Sequence, residues 1–221
     1  MKKNYFMVAA MALLVSSAAH ANPVIDYQGY SWETGGLLPS NAGDVLSFVG
    51  VVDALDVIFG VNLLVDEVTV YASGLVSTGQ IDLGGGVLSI AYTGGTLELW
   101  RDPSRDHDYG VSPPNATAPS TFVNGSLFLG GTFQNFFLYI DTSTGTGAYE
   151  GDVAFTAGSA ITALNTIQPN GYTFGGTLNP AASGHNVPFG YDMQVDGTLQ
   201  VNPITGVERK SWSAVKEMYN R

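Results

Sequence analysis

Alternation of apolar and polar positions is the dominant pattern along this chain. Tyr191, Met193, Val195, Gly197, Leu199 and Val201 fall on one side of a run whose other side is Asp192, Gln194, Asp196, Thr198, Gln200 and Asn202. A period of two predicts a strand with one buried and one wet face. Val68, Val70, Ala72, Gly74 and Val76 alternate in the same way with Glu67, Thr69, Tyr71, Ser73 and Leu75. So do Tyr149, Gly151, Val153 and Phe155 with Ala148, Glu150, Asp152 and Ala154. Less regular strands are predicted over 45–52, 87–93, 96–101, 126–133, 136–141 and 172–178. Clusters such as Thr93-Gly94-Gly95 and Thr144-Gly145-Thr146-Gly147 separate many of them. Helical periodicity is confined to short stretches, of which 54–64 fits a short crossing.

Gly95, Gly125, Gly131, Gly176 and Gly197 each open a Gly-Thr/Ser-Leu/Phe triplet. Their spacing is too irregular for a solenoid or propeller. Glycines at strand starts, kinks or bulges are what a strongly curved sheet requires. The pattern predicts an all-β fold, a single antiparallel β-barrel or β-sandwich of about ten strands, and the interior glycines favour the barrel. An outer-membrane barrel competes, since its strands also alternate. Against it, Asp192 and Asp196 would face lipid or a lumen, and a polar tail follows the last strand.

The ends of the chain differ in kind from this body. Lys2 and Lys3 precede an apolar stretch over 6–15 and the small-x-small sequence Ala19-His20-Ala21. That order predicts a signal peptide over 1–21 and a mature start at Asn22. The mature chain is expected to contain an all-β domain over 22–202 and a linker with a basic C-terminal tail over 203–221, with no transmembrane segment.

Charge sharpens the second boundary. The 221 residues carry a formal charge of −11. Between residues 22 and 208 the only basic side chains are Arg101 and Arg105, whereas Arg209, Lys210, Lys216 and Arg221 crowd the last thirteen positions. Ser211 can cap an amphipathic helix that sets Trp212, Val215 and Tyr219 on one face, with Lys216 near its C-terminal end. This tail reads as a sorting or docking element, for the export machinery or a cell-envelope component, or as a lid over one end of the β structure. The acidic body argues against nucleic acid, whose binding rests on Lys and Arg. The absence of cysteine removes disulfide, thiol and thiolate-metal chemistry.

The densest polar cluster is the segment 100–110, WRDPSRDHDYG. It begins a long loop running through Pro113-Pro114 to Pro119, and loops of this length are often functional. Asp102, Asp106 and Asp108 supply the hard oxygen ligands that calcium prefers, although their spacing is not that of an EF-hand. Calcium is thus the one cofactor suggested, against a solvated loop of minor Asp–Arg pairs. Trp100 and Tyr109 with Arg101 and Arg105 are candidate ligand-binding residues. Tyr27, Tyr30, Trp32 and Tyr71 could extend an aromatic platform for a glycan, although strands favour aromatic residues in any case. No catalytic set stands out: no G-x-S-x-G elbow or Walker A sequence occurs, and His107 and His185 are few and far apart.

The Trp212-x-x-x-Lys216-x-x-Tyr219 ending resembles the short C-terminal tail of certain exported bacterial proteins. The Asp102-Pro103-Ser104 loop and the Phe122-x-x-Gly125-Ser126-Leu127 strand entry resemble segments of a secreted β-rich group. The resemblance implies export and carries no activity. The leading expectation is an exported, non-enzymatic binding or surface-associated domain, in the periplasm, on the cell surface or outside the cell. The alternatives are an extracellular enzyme with its site in a barrel mouth and a self-associating structural protein.

Overall fold

A computed structural model describes residues 24–110, 119–165, 172–181, 184 and 186–201. Nine strands follow in chain order: β1 Val24–Glu33, β2 Val45–Leu55, β3 Glu67–Gly84, β4 Val87–Thr93, β5 Thr96–Asp102, β6 Ser126–Asp141, β7 Thr146–Ala157, β8 Tyr172–Pro180 and β9 Met193–Val201. All pairings are antiparallel, and apart from β4 and β5 each strand lies beside its neighbour in sequence. The pairing of β1 with β9 closes the circuit. The result is an eight-strand up-and-down barrel. The ninth strand arises because β4 and β5 follow one another along the same gap between β3 and β6. Gly94 and Gly95, both at positive φ, make the break between them.

Inward positions carry the core that the alternation predicts. Met193, Val195 and Leu199 of β9, Val68, Val70 and Ala72 of β3, and Tyr149 and Val153 of β7 are all buried in it. Its centre is aromatic. Phe174 stacks on Tyr27 at 4.8 Å and meets Phe48, Phe133 and Tyr149 at 5.4, 5.6 and 5.6 Å. Small residues on the same inner face leave room for these rings. A side chain at Gly197 would strike the Tyr149 and Tyr27 hydroxyls, which hydrogen-bond each other at 2.9 Å. Alternating large and small residues in this way fills a small barrel. An interior void beside Ser31 has a volume of about 10 Å³, space for no more than a water molecule.

The outer wall over β7–β9 is polar, with Glu150, Asp152, Thr173, Thr177, Gln194, Asp196, Thr198 and Gln200 on it. Over these three strands an apolar inside and a polar outside reverse the order that a lipid-embedded barrel requires. Closure also pairs β1 with β9 where an open sheet would leave two free edges, so that among the described residues every strand is paired on both sides.

Several details differ from the pattern-based expectation. The strand β1 was not predicted, because its inner face carries Gly29, Ser31 and Glu33 while its outer face carries Tyr30 and Trp32. The two predicted strands over 126–133 and 136–141 are one continuous β6 with register shifts, and the described residues hold nine strands, in keeping with the expected barrel of about ten. The predicted crossing over 54–64 shrinks to a single 3-10 turn, Val57–Phe59. Asp56 caps it by accepting from the Ile58 N–H, and Gly60, at φ 64°, ends it. The expected signal peptide over 1–21 and the expected tail helix with Trp212, Val215, Lys216 and Tyr219 lie outside the described residues, as does His185.

Candidate functional site

One sector of the barrel wall is covered. The connection from β5 to β6 folds back across the outer faces of β3, β2 and β1, and a second apolar cluster forms beneath it. Val49, Phe122 and Tyr191 are buried there, with Tyr30, Trp32, Val51, Tyr71, Tyr109 and Val187 packed against them. Thr69 on the outer face of β3 donates its hydroxyl to the Phe122 carbonyl at 2.9 Å, and the Tyr191 hydroxyl donates to the Tyr109 carbonyl at 2.8 Å. These bonds fasten both descending and returning limbs of the loop to the wall.

Where the loop meets the wall, a groove of about 310 Å³ opens, lined by Gln28, Gly29, Tyr30, Val51, Asp53, His107, Tyr109 and Gln194. Its volume lies at the lower end of the range for small-molecule sites. The Tyr109 ring meets Tyr30 edge-on at 4.9 Å and packs against Phe122 at 5.2 Å. Burial first, and then the neighbouring phenols of Tyr30 and Tyr191, push its hydroxyl well above the ordinary tyrosine range. Tyr109 therefore stays neutral at any physiological pH. The Gln28 side-chain amide donates to Asp53 at 3.3 Å, so the polar floor is held in a fixed orientation. The groove thus offers ring surface on one side and amide, carboxylate and imidazole groups on the other.

A separate acidic cluster sits at the root of the same loop. Glu67 and Asp102 are directly opposite one another across β3 and β5 and are only 6% and 3% exposed. Asp106 joins them, so that one carboxylate oxygen from each of the three lies within 4.8 Å of the others. Glu67 accepts from the His107 backbone N–H at 3.0 Å and pairs with its Nδ1 at 2.6 Å. Asp102 Oδ1 accepts the Ser104 N–H at 2.8 Å, and Asp106 Oδ1 accepts from the Asn124 side-chain amide at 2.9 Å.

Of the three aspartates proposed for calcium, the structure brings Asp102 and Asp106 together and adds Glu67. Asp108 turns its carboxylate to the Gly110 N–H at 2.8 Å, outside this group. Of the four candidate ligand-binding residues, Tyr109 lines the groove and the others are engaged elsewhere. Arg101 pairs with Asp66 at 2.5 Å, Arg105 donates to the Leu64 carbonyl at 2.8 Å, and the Trp100 indole donates to Glu98 at 3.1 Å. Gln28, Asp53 and Gln194 were missed, since each occupies an ordinary wet-face position in its strand. Glu67 was assigned to a wet face too, and only the loop that covers it makes it part of a site.

A third polar group lies inside one end of the barrel. Glu33 accepts from the Ser40 and Tyr92 hydroxyls, both at 2.5 Å, and the Ser40 hydroxyl also meets Ser77 at 2.7 Å. Burial raises the Glu33 carboxyl above its usual range although both hydrogen bonds oppose the shift. At 4% exposure it has no open approach for a substrate and serves to satisfy the interior. Comparison with protein-family models, with curated proteins and with solved structures finds no match to this chain.

Proposed function

We propose that the protein is an exported, non-enzymatic binding domain that holds a glycan in the groove on its outer wall. The observation that carries this reading is the pairing of the Tyr109 and Tyr30 rings with Gln28, Asp53, Gln194 and His107 around one 310 Å³ groove. A sugar presents C–H faces that pack on aromatic rings and hydroxyls that need amide and carboxylate partners, and these residues supply both. Export rests on the charged, apolar and small-x-small order of residues 2–21. An enzyme site in a barrel mouth would need an open interior, whereas aromatic rings fill this one.

The test is a panel of soluble glycans titrated into the purified protein by calorimetry. Binding by at least one glycan is expected, and Gln28→Ala with Asp53→Ala should weaken it at least about tenfold, the equivalent of ~1.4 kcal/mol. Both side chains are exposed, so the melting temperature should stay unchanged. Glycan binding that survives the double substitution, or no binding at millimolar glycan, refutes the proposal.

A further inference from the structure

We infer that Glu67, Asp102, Asp106 and the Asn124 side-chain carbonyl bind a calcium ion that fastens the β5–β6 loop to the barrel wall. This goes beyond the groove and does not depend on what the groove binds. Three independent features point to the ion. The first is electrostatic. Glu67 and Asp102 face each other as a cross-strand pair on one side of the sheet, both almost fully buried. Like charges directly opposite are destabilising, and a buried carboxylate is costly unless compensated. Beyond the His107 contacts to Glu67 and the Ser104 N–H on Asp102, neither nearby arginine reaches them, because Arg101 pairs with Asp66 and Arg105 donates to the Leu64 carbonyl.

The second feature is a set of orphaned acceptors. Asp102 Oδ2 and Asn124 Oδ1 are both buried without a hydrogen-bond partner. The Asn124 amide nitrogen is fixed on Asp106, and Gly125 beside it packs so tightly on the other strand that a Cβ would lie 3.1 Å from the Asp102 Cα. The segment carrying one orphaned oxygen is therefore held against the residue carrying the other. Buried acceptors are normally satisfied, and a cation held between these two contacting segments would satisfy both.

The third is geometric. Oxygens bound to one calcium at about 2.3–2.6 Å stand at most about 5 Å apart. The three carboxylate oxygens, mutually within 4.8 Å, meet that limit. An all-oxygen set selects a hard cation over zinc, and the ligands come from two strands and two limbs of one loop, an irregular set that suits calcium better than magnesium's strict octahedron. His107 hydrogen-bonds Glu67 through its backbone N–H and Nδ1 and orients that ligand. Since His107 also lines the groove, the ion would fix the groove's loop wall.

The experiment is thermal unfolding and calorimetry of the chelator-stripped protein with Ca²⁺, with Mg²⁺ and with neither. Calcium at about a hundredfold excess over its Kd should raise the melting temperature by roughly 5–11 °C. Asp102→Asn should be at least as stable as the unsubstituted protein in chelator, because it removes a buried repulsion, yet gain nothing from calcium. Asp106→Asn, at an exposed position and so safe for folding, should likewise lose the rise, whereas Asp152→Asn on the far wall should keep it. Identical melting curves with calcium and with chelator overturn the inference. So does a calcium response retained in both Asp102→Asn and Asp106→Asn, and an equal response to magnesium overturns the assignment to calcium.

Discussion

Replacing Phe174 with alanine tests whether the barrel interior is a packed core or a ligand chamber. The ring is 2% exposed, stacked on Tyr27 and flanked edge-on by Phe48 and Phe133. Loss of a fully buried phenylalanine removes its transfer free energy, about 1.5–3 kcal/mol, and leaves a cavity among aromatic neighbours that strands on every side prevent from collapsing. The combined cost for such substitutions is about 3–5 kcal/mol. For a domain of this size it corresponds to a melting temperature lower by roughly 6–20 °C. Urea unfolding monitored by circular dichroism reads it directly, since the midpoint should fall while the slope is retained. Phe174→Leu should recover part of the loss by refilling the space. An alanine variant within about 1 kcal/mol of the unsubstituted protein would refute the reasoning. The interior would then tolerate a hole, and the ligand site would have to be sought inside the barrel instead of on its wall.

Two other outcomes follow from the same structure. Burial raises both the Glu33 and Asp192 carboxyls above their ordinary values of 4.5 and 3.8. Their contribution to stability is therefore full below about pH 4 and is lost as pH climbs through the raised folded values. In denaturant midpoints from pH 3.5 to 7.5, the unsubstituted protein minus Glu33→Gln/Asp192→Asn should decline as pH rises, and a difference that grows refutes the assignment. Separately, β9 ends at Val201 and already closes the barrel with β1, so deleting 209–221 should leave the melting temperature unchanged while altering location or surface retention in the cell. A loss of several degrees would make the tail a lid instead of a sorting element.

Alternation revealed most of the barrel because most strands have one face on the core and one in water. Met193, Val195 and Leu199 were assigned to the inner face from spacing alone, and they lie in the core. The method failed where that assumption failed. On β1 the inner face holds Gly29, Ser31 and Glu33, the last satisfied by the Ser40 and Tyr92 hydroxyls, and the outer face holds Tyr30 and Trp32 beneath the loop. A strand whose outer face carries rings beneath a loop and whose inner face admits a carboxylate carries only a broken alternating signature. The second half of β3 was missed for a related reason: Ile81 and Leu83 are 60% and 58% exposed, so apolar residues there do not mark an inner face.

The candidate sites were legible only in part, and the reason is the same covered sector. Local clustering correctly drew notice to residues 100–110, but spacing within a loop cannot say which carboxylates converge. Asp108 is two residues from Asp106 and turns away to Gly110, whereas Glu67 lies in another strand and is brought opposite Asp102 by sheet register. Sequence periodicity had placed Glu67 on a wet face, and register alone would leave it there. What dries that face is the loop, whose descending limb is fastened by Tyr191 to Tyr109 and whose returning limb is fastened by Thr69 to Phe122. Once it is covered, an ordinary surface glutamate becomes a buried charge that must be compensated, and an ordinary surface tyrosine becomes one wall of a groove. Both candidate sites thus arise from one event, the folding of the β5–β6 loop onto a barrel whose own interior is already full.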